Sequence, residues 1–130
     1  MTKNPELVVK YWLEQSKEDL QSAKALLDAR RYTWAAFICQ QTLEKSLKAI
    51  YVKEKKTIPP YIHKLERLCQ ILEISLPDDL MKSLIEIDKY YIASRYPSYV
   101  EKLNIKKSDQ AKKLFNKTEE IYQWLIKKLK

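Results

Sequence analysis

Thr33-Trp34-Ala35-Ala36-Phe37-Ile38-Cys39-Gln40-Gln41-Thr42-Leu43-Glu44-Lys45-Ser46-Leu47-Lys48-Ala49-Ile50 sets the helical period of this chain. Ala36, Cys39, Leu43, Leu47 and Ile50 recur at steps of three and four, which lines them along one face of an α-helix. Thr33 is the residue type that caps a helix start. The pattern runs out through Lys53-Glu54-Lys55-Lys56 and stops before Pro59-Pro60, where a helix cannot continue.

The same period extends on both sides. Asn4-Pro5 reads as a cap followed by proline at the first helical position. Val8, Trp12, Ser16, Leu20, Ala23 and Leu27 then keep one face to about residue 30, closed by Arg30 and Arg31. The link to Thr33 is short, so the first two helices are expected to form an antiparallel hairpin. A third, shorter helix carries Ile62, Leu65, Cys69 and Leu72. Ser75, Pro77, Asp78 and Asp79 open a fourth, with Leu80, Leu84, Ile87 and Tyr91 inward, ending near Ser94 because Pro97 disfavours helical geometry just before it. A loop over 95–107 leads to Ser108-Asp109, which starts a last helix facing inward through Ala111, Leu114, Thr118, Ile121 and Leu125. No strand alternation competes with these stripes. The reading is all-α: a bundle of four or five helices, with a long loop before the last, in a single domain spanning residues 1–130.

Composition narrows the function. The chain of 130 residues contains no glycine, where average usage of roughly 7% would give about nine. A phosphate-binding P-loop, a dinucleotide fingerprint and a serine nucleophile elbow all need glycine, and none can be built here. The formal charge of +8 permits attraction to polyanions or serves solubility. Cys39 and Cys69 lack metal-site spacing and fall on apolar helical positions, so they read as buried free thiols in a reducing, cytoplasmic compartment. No run of residues is apolar enough to span a membrane, and the N-terminal residues do not read as a signal peptide. No cluster of histidines and acids suggests a metal, and no cofactor is expected. The abundance of Lys and Glu would suit a thermophile.

Three places carry possible chemistry. Gln41, Glu44, Lys45 and Lys48 share a polar strip, either a solvated helix face or one turned to a groove or partner. His63, the single histidine, is placed for capping and packing or for acid–base work. Tyr90-Tyr91-Ile92-Ala93-Ser94-Arg95-Tyr96-Pro97-Ser98-Tyr99 sets one of only four arginines, against 21 lysines, among four tyrosines. A guanidinium fork suits phosphate or carboxylate as lysine does not. Asp88 lies seven residues before Arg95, on the same face if the helix reaches that far. It forms either a structural ion pair or the support of an arginine held ready for an anion. Tyr91 reads as packing, whereas Tyr96 and Tyr99 flank a proline and read as exposed.

These pieces, with Asp19-Leu20, Ala23, Tyr32, Ala35-Ala36, Gln41, Glu44-Lys45, Leu47-Lys48-Ala49, His63, Leu65, Leu68, Tyr91 and Arg95-Tyr96-Pro97, resemble the HEPN domain (higher eukaryotes and prokaryotes nucleotide-binding). The resemblance runs from about Tyr11 to Leu125. It implies an up-and-down four- or five-helix bundle like a nucleotidyltransferase substrate-binding subunit, usually a homodimer, often paired with a minimal nucleotidyltransferase as toxin and antitoxin. It also implies, in many members, metal-independent ribonuclease activity from an arginine followed after four to six residues by a histidine. Arg95 fits the arginine. Val100, Glu101 and Lys102 stand where the histidine would fall, so the expectation is binding rather than cutting, with no catalytic residue assigned. The expected ligand-binding set is Arg95, Tyr96, Tyr99, Tyr91, Asp88, Gln41, Glu44, Lys45 and Lys48, for a nucleotide, RNA or a nucleotidyltransferase partner. A degenerate ribonuclease and a purely structural dimer support are the alternatives. In the paired systems the nucleotidyltransferase modifies a tyrosine near this motif, which makes Tyr99 or Tyr96 the corresponding positions.

Overall fold

The computed structural model describes residues 4–93, 96 and 103–129. Among them, five helices follow in order: α1 (Pro5–Asp28), α2 (Tyr32–Lys55), α3 (Leu65–Ile71), α4 (Asp78–Ala93) and α5 (Ser108–Leu129), with no strand. The all-α bundle expected from the periodicity is the observed architecture.

Local chemistry sets the helix ends. Asn4 caps α1, its Oδ1 accepting the Leu7 N–H at 3.3 Å, and Pro5 sits at the first helical position. α1 closes with paired backbone bonds, Arg30 N–H to Leu27 O at 3.0 Å and Arg31 N–H to Leu26 O at 2.8 Å, with Arg30 at φ 62°. α3 closes the same way, through Glu73 N–H to Gln70 O and Ile74 N–H to Cys69 O, with Glu73 at φ 55°. Such closures favour glycine at the left-handed position. This chain has none, and Arg30, Lys56 and Glu73 occupy the three left-handed positions among the described residues.

Three sequence expectations are corrected here. Thr33 does not cap α2, which starts one residue earlier. Its hydroxyl donates to Asn104 Oδ1 at 2.7 Å and accepts the Ile105 N–H at 3.1 Å, pinning the approach to α5. Ile62 and His63 precede α3 instead of belonging to it: the chain bends at Tyr61, where the Ile62 N–H donates to Pro60 O at 2.8 Å, and the helix starts only at Leu65. Tyr90, not Tyr91, is the tyrosine α4 buries (5% exposed); the helix rotates Tyr91 to a half-buried flank.

α2 is the centre of the bundle and touches each of the other four helices. Its buried residues go around most of its circumference, sparing the sector of Gln41 and Lys45. Leu43, Leu47 and Ile50 meet Leu84 and Ile87 of α4 and Ile121 and Leu125 of α5 in one core. Against α1 the contact is made by small residues. Ser16 is fully buried, its hydroxyl 2.7 Å from Thr42 O and 2.5 Å from Ser46 Oγ; Ser46 Oγ lies 2.9 Å from the same carbonyl. Two hydroxyl protons and one carbonyl satisfy one another there, which lets the helices approach closely without an orphaned polar group. Lys53 donates to the Leu129 carbonyl, tying the C-terminal ends of α2 and α5.

A candidate binding cleft around His63 and Tyr91

A helix surrounded on most sides must bury some of its polar residues, and α2 buries a connected set. The Glu44 and Lys48 side chains are 6% and 7% exposed and pair at 2.9 Å. Glu44 also holds His63 Nδ1, at 3.2 Å from Oε1 and 3.0 Å from Oε2. Lys48 lies 5.7 Å from the centre of the Trp12 ring, a cation–π contact. Gln40, fully buried, places its amide nitrogen 2.8 Å from His63 O, 3.4 Å from Glu44 Oε1 and 3.5 Å from Asp88 Oδ1, and its carbonyl accepts from Gln41 Nε2 at 2.7 Å. Asp88 Oδ2 accepts the Leu65 N–H at 3.0 Å, so a side chain of α4 caps the start of α3. Burial raises the Asp88 carboxyl above its ordinary value, and the hydrogen bonds from Leu65, Gln40 and Glu66 oppose that rise only in part.

His63 stacks on Tyr91, ring centres 4.5 Å apart and planes within 16°. Tyr61 meets His63 edge-on at 4.7 Å, and Phe37 reaches Tyr91 at 6.4 Å, with Trp34 at 5.7 Å beyond it. Five rings thus run in sequence from Trp34 to Tyr61, and both ends are exposed, at 55% and 89%. The His63 Nε2 is enclosed and has no hydrogen-bond partner among the described residues. Beside the stack opens a cleft of about 470 Å³, lined by His63, Lys64, Asp88, Lys89, Tyr91 and Ile92 among others. It combines an aromatic face, two lysines and two partly buried carboxylates, Asp88 and Glu66.

The residues expected at the site are divided. Glu44, Lys48, Asp88 and Tyr91 are brought together, through Gln40 and His63, and Gln41 joins by its bond to Gln40. The strip Gln41–Glu44–Lys45–Lys48 is not one surface: Glu44 and Lys48 turn inward, and Lys45 pairs with Asp19 of α1 at 2.7 Å. Tyr96 is exposed, its N–H bonded to Ile92 O at 3.2 Å. Arg95 and Tyr99 lie outside the described residues. Sequence reasoning missed Gln40, Phe37 and Trp34 and gave His63 too little weight. Gln40 lies one position from the apolar stripe, a signal that α2 is buried beyond that stripe.

Both cysteines are buried and unbonded, and burial pushes each thiol up to about 12. Among the described residues no group of three or more His, Cys, Asp or Glu could hold a metal ion, and no helix is long and apolar enough to cross a membrane.

Comparison with known proteins agrees with the fold. The family model of the HEPN domain matches residues 9–129, and the chain belongs to that family. The crystal structure of TT1696 from Thermus thermophilus is similar, with a TM-score of 0.76 and 26% identity over 92% of this chain and 97% of that one. ST0689, an archaeal HEPN homologue, shares the fold with a TM-score of 0.71 and 24% identity, over 94% of this chain and 98% of that one. Comparison with curated proteins gives no match. Membership in the family supports, in general terms, a module of nucleotide- or RNA-related function.

Proposed function

We propose that this chain is a non-catalytic HEPN binding module, folded as one domain, that takes a nucleotide or an RNA segment in the cleft beside His63 and Tyr91. The observation that carries the reading is the stacked His63–Tyr91 pair. Glu44 fixes the imidazole, the rings offer a face to a base, and Lys64 and Lys89 stand at the same cleft for phosphate. Arg95, Tyr96 and Tyr99, close in sequence to Tyr91, complete the ligand-binding set in this reading, with Arg95 as the phosphate fork. A homodimer partnered with a minimal nucleotidyltransferase, in a toxin–antitoxin-like arrangement, is the assembly that the family suggests.

Calorimetric titration of nucleoside mono- and triphosphates into the wild type, Tyr91→Ala and Arg95→Ala tests this. Loss of affinity in both variants supports the cleft. Equal affinities, or no binding by the wild type at millimolar ligand, overturn it. The assembly is tested by light scattering, where a monomer mass of 15.5 kDa contradicts the dimer, and by co-purification with any minimal nucleotidyltransferase encoded beside the gene.

One observation favours a second reading, a degenerate ribonuclease: Glu44 and His63 form a carboxylate–imidazole pair of the kind used to orient a general base. The enclosed Nε2 and the absent motif histidine argue for binding instead. RNA incubated with excess protein and no metal decides between them, since cleavage abolished by His63→Ala would establish the second.

A further inference from the structure

On another flank of the bundle a larger cleft, of about 1020 Å³, lies between the second half of α1, the start of α2 and the first half of α5. Its floor includes Leu27 and Phe115, both buried, with the half-buried Tyr32 beside them. Four cations line it. Lys24 is taken by Asp28 at 2.8 Å. Arg30, Lys106 and Lys112 are exposed, come from three different elements, and form no ion pair among the described residues. Among the described residues, Glu119 is the one lining carboxylate left without a lysine.

The left-handed backbone of Arg30 does not by itself mark a function, because Lys56 and Glu73 adopt it elsewhere. What distinguishes Arg30 is where its position puts a guanidinium: at the lip of a cleft whose other unpaired cations share its sign. Three like charges held around one concavity repel one another, and a bound polyanion relieves that. The volume is at the upper end for a small-molecule pocket. The cations are distributed over three elements instead of converging from one, and the floor is apolar, so a chain of phosphates with intervening sugars and bases fits it better than a lone anion.

We propose that this cleft is a second nucleic-acid contact, a groove for the phosphate backbone of a single strand, with Arg30, Lys106 and Lys112 as its phosphate ligands. It shares a ligand class with the cleft at His63 and Tyr91 but no residue, so either can stand without the other.

The test is fluorescence anisotropy of a labelled single-stranded RNA across a salt series, with inorganic phosphate, a mononucleotide and an acidic peptide as competitors. The variants are R30A/K106A/K112A and, removing the same charge elsewhere, K55A/K56A/K128A. The first is expected to lose about tenfold or more in strand affinity and to flatten the log–log salt slope by about 2, the share of three phosphate contacts. The second is expected to retain the wild-type slope, and the mononucleotide is expected to compete poorly. Equal losses in the two triple variants, an unchanged slope in the first, or competition by the acidic peptide as effective as that by RNA would each overturn the proposal. Tyr91→Ala separates the two readings: loss of mononucleotide binding with strand affinity kept supports the groove independently of the first cleft.

Discussion

Lys48 Nζ sits 2.9 Å from Glu44 Oε2, one helical turn away, and both side chains are nearly closed to solvent. Removing one member of such a pair leaves the other charged and buried, which costs about 3–5 kcal/mol. Lys48→Met is therefore expected to destabilise the protein by about that amount in urea unfolding. Replacing both residues, Glu44→Leu with Lys48→Met, is expected to recover part of the loss. A double variant as unstable as the sum of the singles contradicts the pairing.

Asp88 gives a pH dependence of unusual sign for an aspartate. Burial raises its folded-state pKa above the ordinary 3.8, so the folded protein binds this proton more readily than the unfolded chain. Its contribution to stability is fullest below that ordinary value and is lost as pH rises through the raised one. Asp88→Asn keeps an acceptor for the Leu65 N–H and does not titrate. The melting temperature of the variant relative to wild type is expected to increase as pH is raised from about 3 to about 7; a relative decrease would contradict the burial argument.

The two thiols, pushed up to about 12 by burial, are expected to be silent to a disulfide reagent in the native protein and to react fully in denaturant. Rapid labelling of either cysteine before unfolding would show that its helix opens locally.

Ser16 is matched to the close approach of α1 and α2, with its hydroxyl 2.7 Å from Thr42 O. Ser16→Leu has no space to occupy and is expected to cost about 1–3 kcal/mol or more by overpacking. Ser16→Ala loses only a hydrogen bond, at about 1 kcal/mol. Chemical denaturation of both variants checks the order, and a leucine variant as stable as the alanine one would show the interface is not tight.

The bundle was legible because its stripes are regular. Ala36, Cys39, Leu43, Leu47 and Ile50 all prove buried, and Asn4-Pro5 opens a helix as those residues do. The site was legible only in part. Periodicity separates an apolar face from a polar one, but it does not reveal that a helix is enclosed by four others, which is what carries Glu44 and Lys48 inside. Nor does local spacing show that Asp88 caps a helix 23 residues earlier, or that His63 meets Tyr91 across 28 positions. Thr33 was assigned the local job its type suggests, whereas the folded chain uses it to hold Asn104 and Ile105. Each miss replaces a neighbour in sequence by a neighbour in space.

The place of α2 at the centre has a last consequence. Glu44 and Gln40, which hold His63, are fixed on the helix that every other described helix packs against. Under the proposed function, the partners that hold the imidazole leave their places only when the interior does, so affinity for a nucleotide is expected to fall at the denaturant midpoint at which the bundle melts.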